Sequence, residues 1–463
     1  MRYGKQSVNR REFLTLMGAG AAGLALSRFL PGPLIAAGDE PGPRKPNIIV
    51  ILADDLGYAD DSFHGSKEIP TPHIDSLAVN GMRFTDGYCS APVCAPSRSG
   101  ILTGRYQQRF GMEYNSSAAS QGLPASENTI ADLLKSAGYV TGIVGKWHQG
   151  PTHNSGKPII HPMDRGFDEY FGFIEAWHYY LDPPDGRGIY RNRERITGPR
   201  GVLGDFLPDV LADEAVAFIQ RHKDEPFFLF FAHQAPHTDT HYGGDNIPLH
   251  ATEKYLSRFP ASMGVAERRY AAIISALDDG VGQVLSTLKT LGLEEDTLIF
   301  YLSDNGGAVP SEIPYVYDNF PLKGHKAQSQ EGGIRVPFVV QWKGHISRGV
   351  CREPVISLDI CRTALAAAGV APPTDPDHLL DGVDLLPLLT GQTTQLDPRD
   401  LFWRMGSERA VRRGEWKLVN SAGSGWELYK ITDDIGEKNN LAGQNTQLVQ
   451  ELTQAFNQWQ SQL

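Results

Sequence analysis

The sequence predicts an α/β protein: a large, mixed but mostly parallel sheet flanked by helices, then a small C-terminal antiparallel sheet with a terminal helix. Three observations predict it. Continuous apolar runs of strand length recur along the chain. Stretches with apolar spacing of three and four lie between them. Past about Pro372 the texture changes to short runs broken by glycine-rich turns.

In chain order, Asn9-Arg10-Arg11-Glu12-Phe13-Leu14 has a twin-arginine pattern and precedes a mild apolar run from Leu14 to Leu26. We read residues 1–37 as a twin-arginine-type signal peptide, cleaved near Ala36-Ala37, which predicts a periplasmic or secreted protein. The run is short and softened by glycines, and no cysteine lies near its end, so no stable membrane anchor is expected. Residues 38–46 form a Pro/Gly/charged linker, 47–375 a catalytic domain and 376–463 a C-terminal α+β subdomain. The last boundary falls between Gly369 and Arg399. Asn47 to Ala53, Val140 to Val144, Phe227 to Ala232 and Leu298 to Ser303 are apolar throughout, as fully buried parallel strands require. Asp75 to Gly81, Asn128 to Ala137, Asp209 to Arg221 and Ala266 to Leu291 read as helices. Leu401 to Arg404, Ala410 to Arg413, Trp416 to Asn420 and Trp426 to Tyr429 read as short antiparallel strands, and Asn445 to Leu463 as an amphipathic helix able to cover them.

The 463 residues are 41% hydrophobic and 21% charged, enough for one large core and a smaller domain. A formal net charge of -11 speaks against nucleic acid as a partner. It does not exclude an anionic substrate, because a local cluster of cations decides that. Four cysteines make no disulfide framework. Cys351 and Cys361 are the nearest pair in sequence; two separate buried thiols are an equal alternative.

Each of the four long apolar runs ends in residues fit for chemistry. The first delivers Asp54-Asp55, the second Lys146 and His148, the third leads to His237, and the fourth delivers Asp304-Asn305. In open α/β sheets the ligand crevice lies beyond the carboxyl ends of the strands. Three carboxylates and an amide are hard oxygen donors that suit Ca²⁺ or Mg²⁺. Zinc fits poorly. His233 and His237 are four apart, but Pro236 spoils a helical pair, and the glutamate of a metalloprotease motif is missing.

The segment Pro92 to Gly104 places Cys94 in a C-x-P-S-R core, with Arg98 four residues on. Pro96 reads as interrupting regular structure, with a helix starting near Ser97. A second string, Gly138 to His148, follows. Together these resemble the two signature segments of the formylglycine-dependent (type I) sulfatases, the arylsulfatase family of the alkaline-phosphatase-like superfamily. Asp75 to Asp86, Phe167-Asp168, Ala235-Pro236-His237, Ser303-Asp304-Asn305-Gly306, Glu331 to Pro337 and Glu437 to Leu441 continue the resemblance in family order over most of residues 46–441.

The resemblance implies that Cys94 is the modified nucleophile, converted to formylglycine (3-oxoalanine) by a formylglycine-generating enzyme. It implies that Asp54, Asp55, Asp304 and Asn305, with residue 94, hold one Ca²⁺, Mg²⁺ being the alternative. Arg98, Lys146, His148, His237 and Lys326 resemble the sulfate-binding and proton-transfer set. Lys323 competes for the last place, but the family lysine stands five residues before the Glu331-Gly332-Gly333 segment, which selects Lys326. His325 and Gln149 depart from the family pattern.

The implied chemistry is attack on sulfur by one hydroxyl of the hydrated aldehyde, with Asp304 as proton acceptor. His237 and Lys326 protonate the leaving alcohol. The sulfate is expelled when His148 takes the proton of the second hydroxyl. The expected substrate is a sulfated carbohydrate. Trp177, His178 and Arg187 in the aromatic loop Glu175 to Arg195, together with His241 and His325, are candidate substrate contacts. Two competing readings are a phosphomonoester or phosphonate hydrolase of the same superfamily, and a secreted glycan-binding protein with an unmodified Cys94.

Overall fold

The computed structural model describes residues 44–152, 155–181, 188–196, 206–239, 247–308 and 316–463. The signal peptide and most of the linker read from the sequence lie outside the described residues, as do Arg187 and His241. Among the described residues no helix is long and apolar enough to cross a membrane.

The strands are β1 (Asn47–Asp54), β2 (Met82–Phe84), β3 (Gly87–Tyr88), β4 (Val140–Lys146), β5 (Glu169–Phe173), β6 (Ile189–Arg191), β7 (Glu194–Ile196), β8 (Phe227–Pro236), β9 (Thr297–Ser303), β10 (Phe338–Gln341), β11 (Gly349–Cys351), β12 (Val355–Ile356), β13 (Asp400–Met405), β14 (Glu408–Arg413), β15 (Trp416–Asn420) and β16 (Glu427–Lys430). Ten of them form one sheet in the order β11-β2-β10-β9-β1-β8-β4-β5-β6-β7. Its centre, from β9 through β1, β8 and β4 to β5, is parallel; β10 and β6 join antiparallel. The four long apolar runs of the sequence are therefore the four adjacent strands β9, β1, β8 and β4, in a mixed, mostly parallel sheet as expected.

Period-two alternation divides β1 between two cores. Ile49, Ile51 and Ala53 point into one, covered by the helices Pro72–Asn80, Leu207–Arg221 and Val265–Thr290. Ile48, Val50 and Leu52 point into the other, covered by the helices Cys94–Thr103, Ile130–Ser136 and Asp359–Ala367. A strand covered on both faces has no polar side to show, which explains its uninterrupted apolar sequence. A second, four-stranded antiparallel sheet, β13-β14-β15-β16, is covered by the helix Thr446–Gln460 through Leu452, Phe456 and Trp459. Trp459 stacks on Phe402 at 5.0 Å between ring centroids.

One expectation is corrected, and one open alternative is decided. Pro96 does not interrupt structure: the helix begins at Cys94 and runs to Thr103, with Pro96 in its first turn. A first-turn N–H has no partner within the helix, so a proline costs little there. Cys351 and Cys361 are both free thiols, one ending an edge strand and the other buried within a helix.

Candidate active site

Register brings the strand ends level. Ala53 pairs with Ser303, Asp54 with Pro236 across an irregularity after Leu52, and Gly145 with Ala232. The residues that follow therefore converge on one patch at the carboxyl edge. Asp54 closes β1, and Asp55 turns the chain with a left-handed φ of 65°. Its backbone N–H donates to Asp304 Oδ1 at 3.2 Å. Lys146 closes β4, and His148 also adopts a left-handed φ, 54°. Cys94 enters from one flank as the first residue of its helix, where Asn115 Oδ1 accepts the Ala95 N–H at 3.0 Å. Lys326 enters from a loop whose backbone is tied to both neighbours: Lys326 N–H donates to Gly307 O at 2.9 Å and Ala327 N–H to Pro92 O at 2.8 Å.

All the candidate core residues meet. Cys94 Sγ lies 3.7 Å from Asp55 Oδ1. Lys146 Nζ donates to Asp54 Oδ2 at 2.6 Å, and Lys326 Nζ donates to Asp55 Oδ2 at 2.6 Å. Arg98 Nε donates to Asp304 Oδ2 at 2.9 Å and its Nη1 to Lys146 O at 3.1 Å, while Nη2 stands 3.5 Å from Asp54 Oδ2. His237 Nε2 faces Asp55 Oδ2 at 3.6 Å, and its Nδ1 is tied to Thr238 O at 2.6 Å. His148 Nδ1 is buried without a hydrogen-bond partner among the described residues. Exposure marks the side of entry. Asp54, Asp55, Arg98, Lys146, Asp304 and Asn305 are 0% exposed, whereas His148 is 6%, Lys326 8% and His237 9%.

The electrostatics follow from burying charges in pairs. Burial opposes ionisation of Asp55, but Lys326, His237 and Lys146 overcome it and hold the carboxyl below its usual range. Burial, then the charge of Asp54, pushes Asp304 up to about 7 against the pull of Arg98 and Lys146. Burial works against Lys326 too, and Asp55 more than offsets it, so the ammonium is held well above its ordinary pKa. Burial lowers both histidines, His237 to about 3, and neighbouring cations add to the effect. Burial raises the Cys94 thiol, with Lys146 and Lys326 pulling the other way, so burial favours the protonated form.

The donor set fits a hard divalent cation. Ligand atoms of Asp54, Asp55, Cys94 and His237 lie within 4.8 Å of one another. Asp54 Oδ1 and Asn305 Oδ1 are buried oxygens with no hydrogen-bond partner among the described residues. Unpaired oxygens at the centre of an acidic cluster are what a cation would satisfy. With Asp304 Oδ1 and Oδ2 engaged by Asp55 N–H and Arg98, the third carboxylate is oriented by the same cluster.

Of the candidate substrate contacts, His325 is half-buried beside Lys326, with Nδ1 facing Lys326 O at 2.8 Å. Trp177 is half-buried and meets Tyr179 edge-on. His178 is 0% exposed, its ring packed against Phe173 and its backbone N–H donating to Gln234 Oε1 at 2.7 Å, so it lies inside rather than on an open rim. Tyr180, from the same loop, donates its hydroxyl to His237 O at 2.7 Å and supports the histidine from behind. Sequence reasoning overlooked Asn115; an asparagine twenty-one residues past Cys94 gives no local signal.

The sulfatase family model matches residues 46–370, and a model described as N-sulphoglucosamine sulphohydrolase, C-terminal, matches residues 325–462. The chain belongs to the sulfatase family. The N-acetylgalactosamine-6-sulfatase of Mus musculus is 33% identical over 453 residues, covering 91% of this chain and 80% of that protein. An uncharacterised sulfatase of Escherichia coli (strain K12) is 30% identical, covering 93% and 87%. Among solved structures, Ps i-CgsB in complex with k-i-k-neocarrahexaose superposes with a TM-score of 0.79 at 34% identity, covering 90% of this chain and 93% of that one. As a sulfatase, the protein is a sulfuric ester hydrolase, and the strand-end cluster is its candidate active site.

Proposed function

We propose that this sulfatase hydrolyses sulfate esters on a carbohydrate, using residue 94 as a formylglycine and one bound Ca²⁺. The observation that carries the proposal is the position of Cys94: first residue of a helix, 3.7 Å from Asp55, within the electrostatic reach of Lys146, Lys326 and Arg98 and grouped with His237. Asp54, Asp55 and Asp304 balance Arg98, Lys146 and Lys326 in charge. A divalent ion held by Asp54, Asp55, Asp304, Asn305 and residue 94 would make the cluster net positive, which favours an anionic ester. Bound there, it supplies electrostatic stabilisation of the charge on the sulfate oxygens. A formylglycine-generating enzyme would convert Cys94; the hydrated aldehyde then offers one hydroxyl to attack sulfur and a second whose deprotonation expels sulfate.

The remaining roles belong to side chains already placed. Asp304, buried beside residue 94's partner Asp55, is the carboxylate assigned to accept the attacking hydroxyl's proton. Lys146 and Lys326 clamp the sulfate. His237 keeps Nδ1 committed to Thr238 and presents Nε2 to the leaving oxygen. Negative charge developing on that oxygen favours the protonated ring. His148, with an unpartnered Nδ1, takes the proton of the second hydroxyl.

The carbohydrate class rests on the hexaose bound by the similar Ps i-CgsB and on the N-acetylgalactosamine-6-sulfatase relatives. Trp177 and His325 are the candidate sugar contacts among the described residues; Arg187 and His241 belong to the same proposal. Export through the twin-arginine route rests on the N-terminal sequence alone.

Peptide mass spectrometry across Cys94, paired with sulfate release from a panel of sulfated glycans, tests the proposal. Conversion of Cys94 with release from at least one glycan is expected. An intact thiol in active enzyme overturns the nucleophile, release of phosphate in preference to sulfate overturns the reaction, and conversion without release from any glycan overturns the substrate class.

A further inference from the structure

Gln149 is a buried amide next to His148, and every polar group of its side chain is engaged. Its Oε1 accepts the Ser99 hydroxyl at 2.5 Å. Its Nε2 donates to Ala95 O and to His148 O, each at 3.0 Å. Its own carbonyl accepts the Leu123 N–H at 2.9 Å. The residue is 0% exposed. Its side chain thus joins the first turn of the Cys94 helix to the backbone of His148.

The two sides of this brace are not equally anchored. The helix has other ties: Arg98 to Asp304 and Lys146 O, and Ala95 N–H to Asn115. His148 holds an unfavourable left-handed φ of 54°, its N–H donates to Ile174 O at 3.2 Å, and its Nδ1 has no partner among the described residues. A non-glycine residue in that conformation persists only when its surroundings determine it. Loss of the amide would therefore fall on His148.

We propose that Gln149 is a positioning residue that sets His148 against residue 94 for release of sulfate. The inference rests on the proposed function, in which His148 takes the proton of the second hydroxyl of residue 94. In that step the O–H electrons form the carbonyl, the C–O bond to sulfate breaks with its electron pair leaving on sulfate, and water afterwards restores the hydrate. Gln149 touches neither substrate nor the reacting atoms, so it acts only through His148.

The test is Gln149→Leu, which keeps the volume and removes all three side-chain hydrogen bonds. 4-Nitrophenyl sulfate is the substrate because its phenolate leaves without help, which speeds the first step relative to sulfate expulsion; a burst of one equivalent of 4-nitrophenolate checks that expulsion limits turnover. We expect kcat to fall about tenfold, as a misplaced proton acceptor implies, with KM falling in step and kcat/KM unchanged within about twofold. In ¹³C-histidine-labelled protein with unmodified Cys94, the His148 resonance, assigned by its loss in His148→Gln, should shift while that of His233 stays. The double variant Ser99→Ala/Gln149→Leu also removes the Ser99 hydroxyl, which in the single variant can still donate to Ala95 O at 3.1 Å; it should keep the low kcat. An unmoved His148 resonance overturns the inference, as does a loss in kcat/KM equal to that in kcat, or kcat restored in the double variant. If wild-type enzyme with converted Cys94 cleaves no sulfate ester, the proposed function fails instead, and the resonance shift still decides the brace.

Discussion

At the tip of β1 two adjacent carboxylates serve opposite sides of the cluster: Asp54 meets Lys146 and Arg98, and Asp55 meets Lys326 and His237. The left-handed turn at Asp55 separates them. Cys94 faces Asp55 with a thiol that burial keeps protonated. Cys94→Ala should therefore leave the melting temperature nearly unchanged while abolishing sulfate release; retained turnover would remove residue 94 from the chemistry. A second prediction concerns His233, buried in β8 and held by burial at about 3. Its folded pKa lies below the unfolded value of about 6.5, so the unfolded chain binds the extra proton between those limits. The stability linked to His233 is complete above about pH 6.5 and is lost as pH falls toward 3. His237 and His148 shift the same way, so the whole slope is a sum. Thermal melts from pH 4 to 7 should show a shallower slope for His233→Gln than for the parent; parallel slopes would count against the assignment.

Among the elements, β4 is where sequence and packing are most tightly coupled. Gly145 has φ 112°, and a Cβ there would stand 1.9 Å from Ala232 O of the neighbouring strand. The chain immediately after it carries Lys146 and His148, so the close approach of β4 and β8 also sets where those side chains emerge. Gly145→Ala should destabilise the protein by several kcal/mol, the range of backbone strain plus overpacking, and be read as lost soluble yield or a large fall in melting temperature. The buried strands were legible because double coverage demands continuous apolar sequence, and the C-terminal strands because turns punctuate them. The helix start at Cys94 was not legible: proline signals a break, and only the first-turn position of Pro96 makes it compatible with the helix. Cys351 and Cys361 show the same limit, since proximity in sequence says nothing about Cβ directions.

Across the whole molecule, the Lys326 loop is where the two sheets meet the active site. Ser329 N–H donates to Glu408 Oε2 at 2.8 Å, and Glu331 N–H to Glu437 Oε2 at 2.8 Å. Lys417 of β15 bridges Glu331 and Glu437 at 2.8 and 2.9 Å with no solvent exposure. The small sheet thereby fixes residues that lead out of the loop carrying Lys326. A cation bound between two strand ends and the start of the Cys94 helix would stabilise the native state by mass action. Removing it by dialysis against EDTA should lower the melting temperature, and Ca²⁺ should restore it; at a hundredfold excess over Kd the effect is about 2.7 kcal/mol. A melting temperature indifferent to EDTA and to added Ca²⁺ would argue against the metal.

The chain by itself determined the layered α/β class, the order of its strands along the sequence and the chemical kinds of group at their ends. Hydrophobic period, turn residues and motif spacing are local properties, written wherever a strand or turn is written. Tertiary structure alone decided that the Cys94 helix begins at its reactive residue, that His178 is enclosed, and that Asn115, Tyr180 and Gln149 support the groups in front of them. Those facts depend on distances between segments far apart in sequence, which register and packing set and no local pattern encodes.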